Sequence, residues 1–106
     1  MNVVILTGRL TADPELRYTK SGVPGMTVNL AVDRSKNETD FPTIVMWRET
    51  AERACQYLHK GSKVVIRGEL HTRTYEDVQT GQNHKVTEVH ADRWEFADSK
   101  PQGPFA

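Results

Sequence analysis

Residues 63–75, KVVIRGELHTRTY, alternate along their whole length between one set of side chains and another. Successive side chains of a strand point to opposite faces. Val64, Ile66, Leu70 and Thr72 are therefore expected inward, and Val65, Arg67, Glu69, His71, Arg73 and Tyr75 outward. A strand this long must bend to stay on one small core, and Gly68 offers the bend. A curved sheet is the expectation.

Working back from this run, the period changes between residues 50 and 60. Thr50 is expected to cap a helix, Ala51, Ala54, Cys55 and Leu58 recur at helical spacing, and Gly61 falls where the helix would stop. Before the helix lies DFPTIVMW (40–47), a strand apolar on both faces: Ile44 and Met46 share one, while Phe41, Thr43, Val45 and Trp47 share the other. MTVNLAVD (26–33) precedes it, with Val28, Leu30 and Val32 inward. The polar connector RSKNETD (34–40) has hairpin length, so these two strands should run antiparallel.

NVVILTGRL (2–10) is a first strand with Gly8 at a bulge or close approach. Both of its faces are partly apolar, so a core is expected on one side and a cover, such as another subunit, over Val3 and Ile5. TADPE breaks this strand, LRYT (16–19) fits an edge strand, and KSGVPG is loop. Downstream, EDVQTGQNH is a polar loop and KVTEVHADRWEF (85–96) a last strand with Val89 and Ala91 inward. Its alternation fails at Arg93–Trp94, the mark of a bulge or a strand end. Three strands, one helix and two strands result. That order matches an all-β, five-stranded Greek-key barrel of the oligonucleotide/oligosaccharide-binding type, with one short helix between strands 3 and 4. Residues 1–97 form the expected domain and 98–106, rich in Pro and Gly, an untethered tail.

The chain has 106 residues, enough for one core, and its 14 Lys and Arg balance 14 Asp and Glu. No global field draws it to a polyanion, so any nucleic-acid binding must come from local arrangement. A single cysteine and the lack of a long apolar run point to a reduced, cytoplasmic protein.

The second aromatic face of 41–47 invites a use. Base stacking needs only a ring face, contributes roughly 1–3 kcal/mol per base and tolerates sequence. Phe41 and Trp47 would stand about 20 Å apart on a strand rising about 3.3 Å per residue, with Tyr75 at the end of the next long strand. Arg67, Arg73 and His71 share a row with Tyr75. The competing reading is a packing surface against the helix or a partner subunit. Trp94 is expected to plug a barrel end, and Tyr57 to belong to the helix's core stripe. The four histidines lack metal-ligand spacing, the carboxylates form no clamp, and no nucleophile and base can be paired, so neither catalysis, metal nor cofactor is expected.

The runs NVVILTGRLTADPELRYTKSG, DFPTIVMWRETAE, KGSKVVIRGELHTRTYED and VTEVHADRWEF, in this order, closely resemble the DNA-binding domain of bacterial single-stranded DNA-binding proteins. The resemblance implies a homotetramer that wraps single-stranded DNA without sequence preference. It implies stacking by Phe41, Trp47 and Tyr75, and phosphate contacts from Arg9, Arg17, Lys20, Arg67 and Arg73, with Lys60 and Lys63 in support. It also implies pairing of first strands across a dimer, through Val3 and Ile5. The connector carries no aromatic, leaving Arg34 and Lys36 to substitute by charge. Longer family members end in an acidic tip finishing in Pro-Phe that recruits replication and repair proteins; here Pro104-Phe105 stands without the acids. Two other readings are an interaction module like the primosomal barrels, binding a replication protein, and a nuclease on a similar barrel.

Overall fold

In the computed structural model, which describes residues 1–97, the chain folds as β1 (Val4–Leu10), β2 (Arg17–Tyr18), β3 (Pro24–Ser35), β4 (Glu38–Asp40), β5 (Thr43–Trp47), α1 (Arg48–Tyr57), β6 (Lys63–Glu76) and β7 (Asn83–Phe96). The five long strands expected from the sequence are β1, β3, β5, β6 and β7, with the helix in the expected place. They pair in the order β1-β6-β7-β5-β3, and β3 also pairs with β1, so the hydrogen bonding returns to its start. Two of its joints are long: β6 with β7, and β1 with β6 from Val4↔Gly68 to Arg9↔Lys63. Two are short. The parallel β5–β7 joint consists of Ile44↔Val89 and Val45↔His90, and the β1–β3 joint of Arg9↔Ala31 and Leu10↔Leu30. The short strands β2 and β4 hang from β3, the latter absorbing much of the connector RSKNETD into a hairpin.

The inward residues form one core. Met26, Val28, Leu30, Ile44, Met46, Val64, Ile66, Val89 and Ala91 are all buried, and α1 closes one end with Ala51, Ala54 and nearby Leu58. Burial pushes the Cys55 thiol up, as befits a residue packed against this cluster. Trp94 plugs that end, donating from Nε1 to the carbonyl of Thr50 at 3.3 Å, while the Arg53 guanidinium lies 4.8 Å over its ring. Its inward direction has a local cause. Arg67 opposes Arg93 but Gly68 opposes Ala91, so Asp92 is an extra residue in β7, and one extra residue reverses the faces. The break in alternation is thus a bulge, and β7 continues to Phe96.

Four sequence expectations are corrected. Leu70 and Thr72 do not face a core: Leu70 is 48 % exposed, opposite Val89 where β7 makes its last pairing with β5, and beyond this level the β6–β7 pair leaves the ring as a two-stranded arm. Asn2 clasps the base of that arm, its amide bonding both N–H and C=O of Leu70 at 2.9 Å. Tyr57 ends α1 in solvent at 50 % exposure, outside the stripe of Ala51 and Ala54. Thr50 caps nothing; the helix begins two residues earlier, after Trp47, and Thr50 instead receives Trp94. Phe41 is not on β5, because Phe41–Pro42 separates β4 from β5, although Asn29 still holds the Phe41 carbonyl at 3.2 Å. The tail expected at residues 98–106 lies outside the described residues.

At the root of the arm sits Glu88, buried on the outer side of β7. Burial pushes its carboxyl up, but hydrogen bonds and charge from His90 (3.1 Å) and Arg73 (3.3 Å) outweigh this and hold it below the ordinary value. A depressed folded-state pKa contributes stability that is full above the unfolded value of about 4.3 and is lost as pH falls through the folded value. Urea melts of the wild type and Glu88→Gln should therefore differ by a constant amount above about pH 5 and converge toward pH 3. A Cβ added at Gly68 would meet the His90 carbonyl and stand 2.7 Å from the Ala91 Cα, both backbone and unable to yield. Gly68→Ala should cost at least ~1–3 kcal/mol by the same melts.

Candidate nucleic-acid interface

The outer face of the β3–β5 pair is built from small or polar residues around one large ring. Trp47 opposes Gly25 across the ladder, and Val45 opposes Thr27. A Cβ on Gly25 would lie 2.6 Å from the six-membered part of the Trp47 indole, so the ring packs directly against the glycine. Glycine permits that approach and nothing larger would. The main chain fixes the ring from its other side too: Trp47 is the last residue of β5 and, still extended, the residue before α1, and Arg48 makes the corner at a left-handed φ of 55°. Such a backbone for a non-glycine residue costs on the order of 1 kcal/mol and is retained where the surroundings over-determine it.

Segment 12–19 folds back over this face and walls a cavity of about 480 Å³, with Val45 and Trp47 on one side and Glu15, Arg17, Tyr18 and Thr19 on the other. This is the answer to the doubly apolar strand: Ile44 and Met46 enter the core, while Val45 lines an open hollow with Trp47 at 40 % exposure. Tyr18, 64 % exposed on the facing wall, is an aromatic that the reading of the residues passed over. Its place beside Arg17 in a short edge strand was the available signal.

The other two predicted rings stand elsewhere on the surface. Phe41 is 57 % exposed at the β4–β5 junction, and Tyr75 is 47 % exposed on the arm, stacked on His84 across the ladder at 5.3 Å. Between Tyr75 and the ring, on the outward row of β6 and β7, lies a polar cluster. His71 and His90 stack in near-parallel planes 3.9 Å apart, His71 bonds Glu69 at 2.8 Å, and His90 bonds Glu88 at 3.1 Å. Val45 opposes His90 on β7, which links this row to the Trp47 face.

The predicted cations fall into three groups. Arg9, Lys60 and Lys63 gather at the turn after α1: Arg9 opposes Lys63 and donates to the Gly61 carbonyl at 2.9 Å, while the Lys60 N–H is held by Asp13 of the cavity wall at 2.7 Å. Arg17, Arg34 and Arg73 each pair with a carboxylate: Arg17 with Glu15 at 2.9 Å, Arg34 with Asp40 and Glu38 at 3.1 Å each, and Arg73 with Glu88. Lys20 and Lys36 extend from loop and hairpin tip, both exposed. Arg67 keeps to the outward row of β6, at the end of it that faces β1. It pairs with Asp92 at 3.2 Å and lines a hollow with Ile5, Val65, Arg93 and Glu95, on the β1 side of the ring. Val3 and Ile5, expected at an oligomer interface, are 56 % and 64 % exposed. Among the described residues no group of three His, Cys, Asp or Glu is placed to hold a metal ion, and no helix is long and apolar enough to cross a membrane.

Single-stranded DNA-binding protein B of Bacillus subtilis is 48 % identical over 107 aligned residues, covering 95 % of this chain and 94 % of that protein. The single-stranded DNA-binding protein of Bacillus cereus is 46 % identical, and protein A of B. subtilis 45 %; each alignment covers 97 % of this chain, but only 64 % and 63 % of those longer proteins. Residues 1–97, the same span that the ring and its arm occupy, match the Single-strand binding protein family, and to that family the chain belongs.

Proposed function

We propose that this chain binds single-stranded DNA without sequence preference, in replication, recombination or repair, as a non-catalytic, cytoplasmic protein. Bases stack on Trp47, Phe41 and Tyr75, and phosphates pair with Arg9, Arg17, Lys20, Arg34, Lys36, Lys60, Lys63 and Arg73, with Arg67 contributing from the β1 side. The observation that carries this reading is the Trp47 ring, packed against Gly25 and 40 % exposed beside a hollow of about 480 Å³. An aromatic closed into the core could pack but not stack on a ligand. Exposed Val3 and Ile5 support self-association, with a homotetramer as the proposed assembly. No observation specifically favours an interaction module that would bind a replication protein with DNA secondary.

Titration of intrinsic fluorescence with oligo-dT at two salt concentrations, with mass in solution recorded in parallel, tests binding and assembly together. Quenching should arise at Trp47, because Trp94, the second tryptophan, is only 2 % exposed. Trp47→Ala should abolish the quench, and Trp47→Ala and Phe41→Ala should each weaken binding by about 1–3 kcal/mol. Saturable binding that neither substitution weakens would refute the stacking assignment. Gly25→Val should displace the indole without removing it and weaken oligo-dT binding in the same direction, while leaving the far-ultraviolet circular dichroism unchanged.

A further inference from the structure

Beside each stacking ring stands an arginine already neutralised from within the chain. Arg17 and Glu15 line the hollow that holds Trp47. Asp40, the immediate neighbour of Phe41, takes the Arg34 fork, with Nε 3.1 Å from Oδ2 and Nη2 3.2 Å from Oδ1, while Nη1 reaches Glu38 at 3.1 Å. Arg73 shares a strand face with Tyr75 and bonds Glu88 at 3.3 Å. The charge balance of the chain is therefore echoed at the rings, with one carboxylate in excess beside Phe41.

We propose that Glu15 and Asp40 are internal competitors of the nucleic-acid phosphates, and that they confine binding to strands whose bases are free to stack. This rests on the function proposed above. A carboxylate and a phosphodiester offer an arginine the same kind of two-oxygen acceptor. A phosphate that captures Arg17 or Arg34 must displace the carboxylate already there. The pairs are exposed, with side chains 51–81 % accessible, and such pairs are individually weak and readily exchanged. A polyanion that brings phosphates alone trades one pair for an equivalent one and leaves a carboxylate facing its own negative charge. A strand that also brings base faces gains the stacking, and that gain decides the exchange. Duplex DNA, whose bases are already stacked, lacks it.

The test uses Glu15→Gln and Asp40→Asn, separately and together. Both sites are exposed, and both substitutions preserve shape while removing charge. Glu52→Gln, on the exposed side of α1, removes the same single charge away from the rings and serves as control. Each single variant should bind oligo-dT about two- to fivefold tighter than the wild type and than Glu52→Gln. The plot of log K against log salt should steepen by about 0.7 for Glu15→Gln, which releases Arg17, and by less for Asp40→Asn, which leaves Arg34 with Glu38. The double variant should also acquire binding to a blunt-ended duplex at least fivefold above the wild type. Natively folded variants that bind oligo-dT no tighter than Glu52→Gln, with an unchanged salt slope, would overturn the proposal. Failure of the wild type itself to bind oligo-dT would instead remove the function on which it rests.

Discussion

At Gly68 two backbones lie too close for a side chain, and the division of the sheet into ring and arm follows from that contact. Gly68 lies against the His90 carbonyl and the Ala91 Cα, and one residue further along β7 inserts Asp92 opposite nothing. Below this bend the β6–β7 ladder is wall of the ring and directs Ile66 and Trp94 into the core. Just above it Val89 and His90 still join β5, and past them the same ladder is a free arm carrying Tyr75. A straight ladder could supply either the wall or the arm. The bend supplies both from one continuous pair of strands, so the apparatus proposed to meet DNA is held by the same hydrogen bonds that hold the core.

The inward rows of β3, β5 and the first half of β6 were legible because alternation over a closed core leaves little freedom: Val28, Leu30, Ile44, Met46, Val64 and Ile66 are all buried. Alternation says which face a residue takes, and not whether anything stands behind that face. Leu70 and Thr72 keep the parity of Ile66 and still meet solvent, because the ring ends at the Leu70↔Val89 pair. Thr50 and Tyr57 were misread for a related reason. The start of α1 is set by the strand that runs straight into it, and a strand end leaves no mark of its own in helical spacing.

The three rings were legible as residues, but their setting was not. That Trp47 rests on Gly25 depends on a register spanning 22 positions, and that Phe41 leaves the strand depends on the Pro42 break. The arginines show the same limit. Arg67–Asp92 and Arg73–Glu88 join residues 25 and 15 apart, so their neutralisation appears only once β6 and β7 are paired. Glu15–Arg17 is different, being two residues apart, and could have been anticipated from like-facing positions. Under the proposed function, a protein without net charge relies on its flat rings, not on a long-range field, to retain a polyanion.

The unequal joints of the ring bear on how it moves. Thirteen residue pairs join β6 to β7, but only two join β5 to β7 and two join β1 to β3. The closed sheet is therefore two sturdy leaves, β1-β6-β7 and β3-β5, stitched along a pair of thin seams. Rare openings should begin at those seams, where few amides must be released together. Each such event would bare two unsatisfied strand edges, ready to accept the matching leaf of a neighbouring copy. The same sparse stitching that lets the sheet close on itself therefore leaves a route by which two molecules could exchange halves.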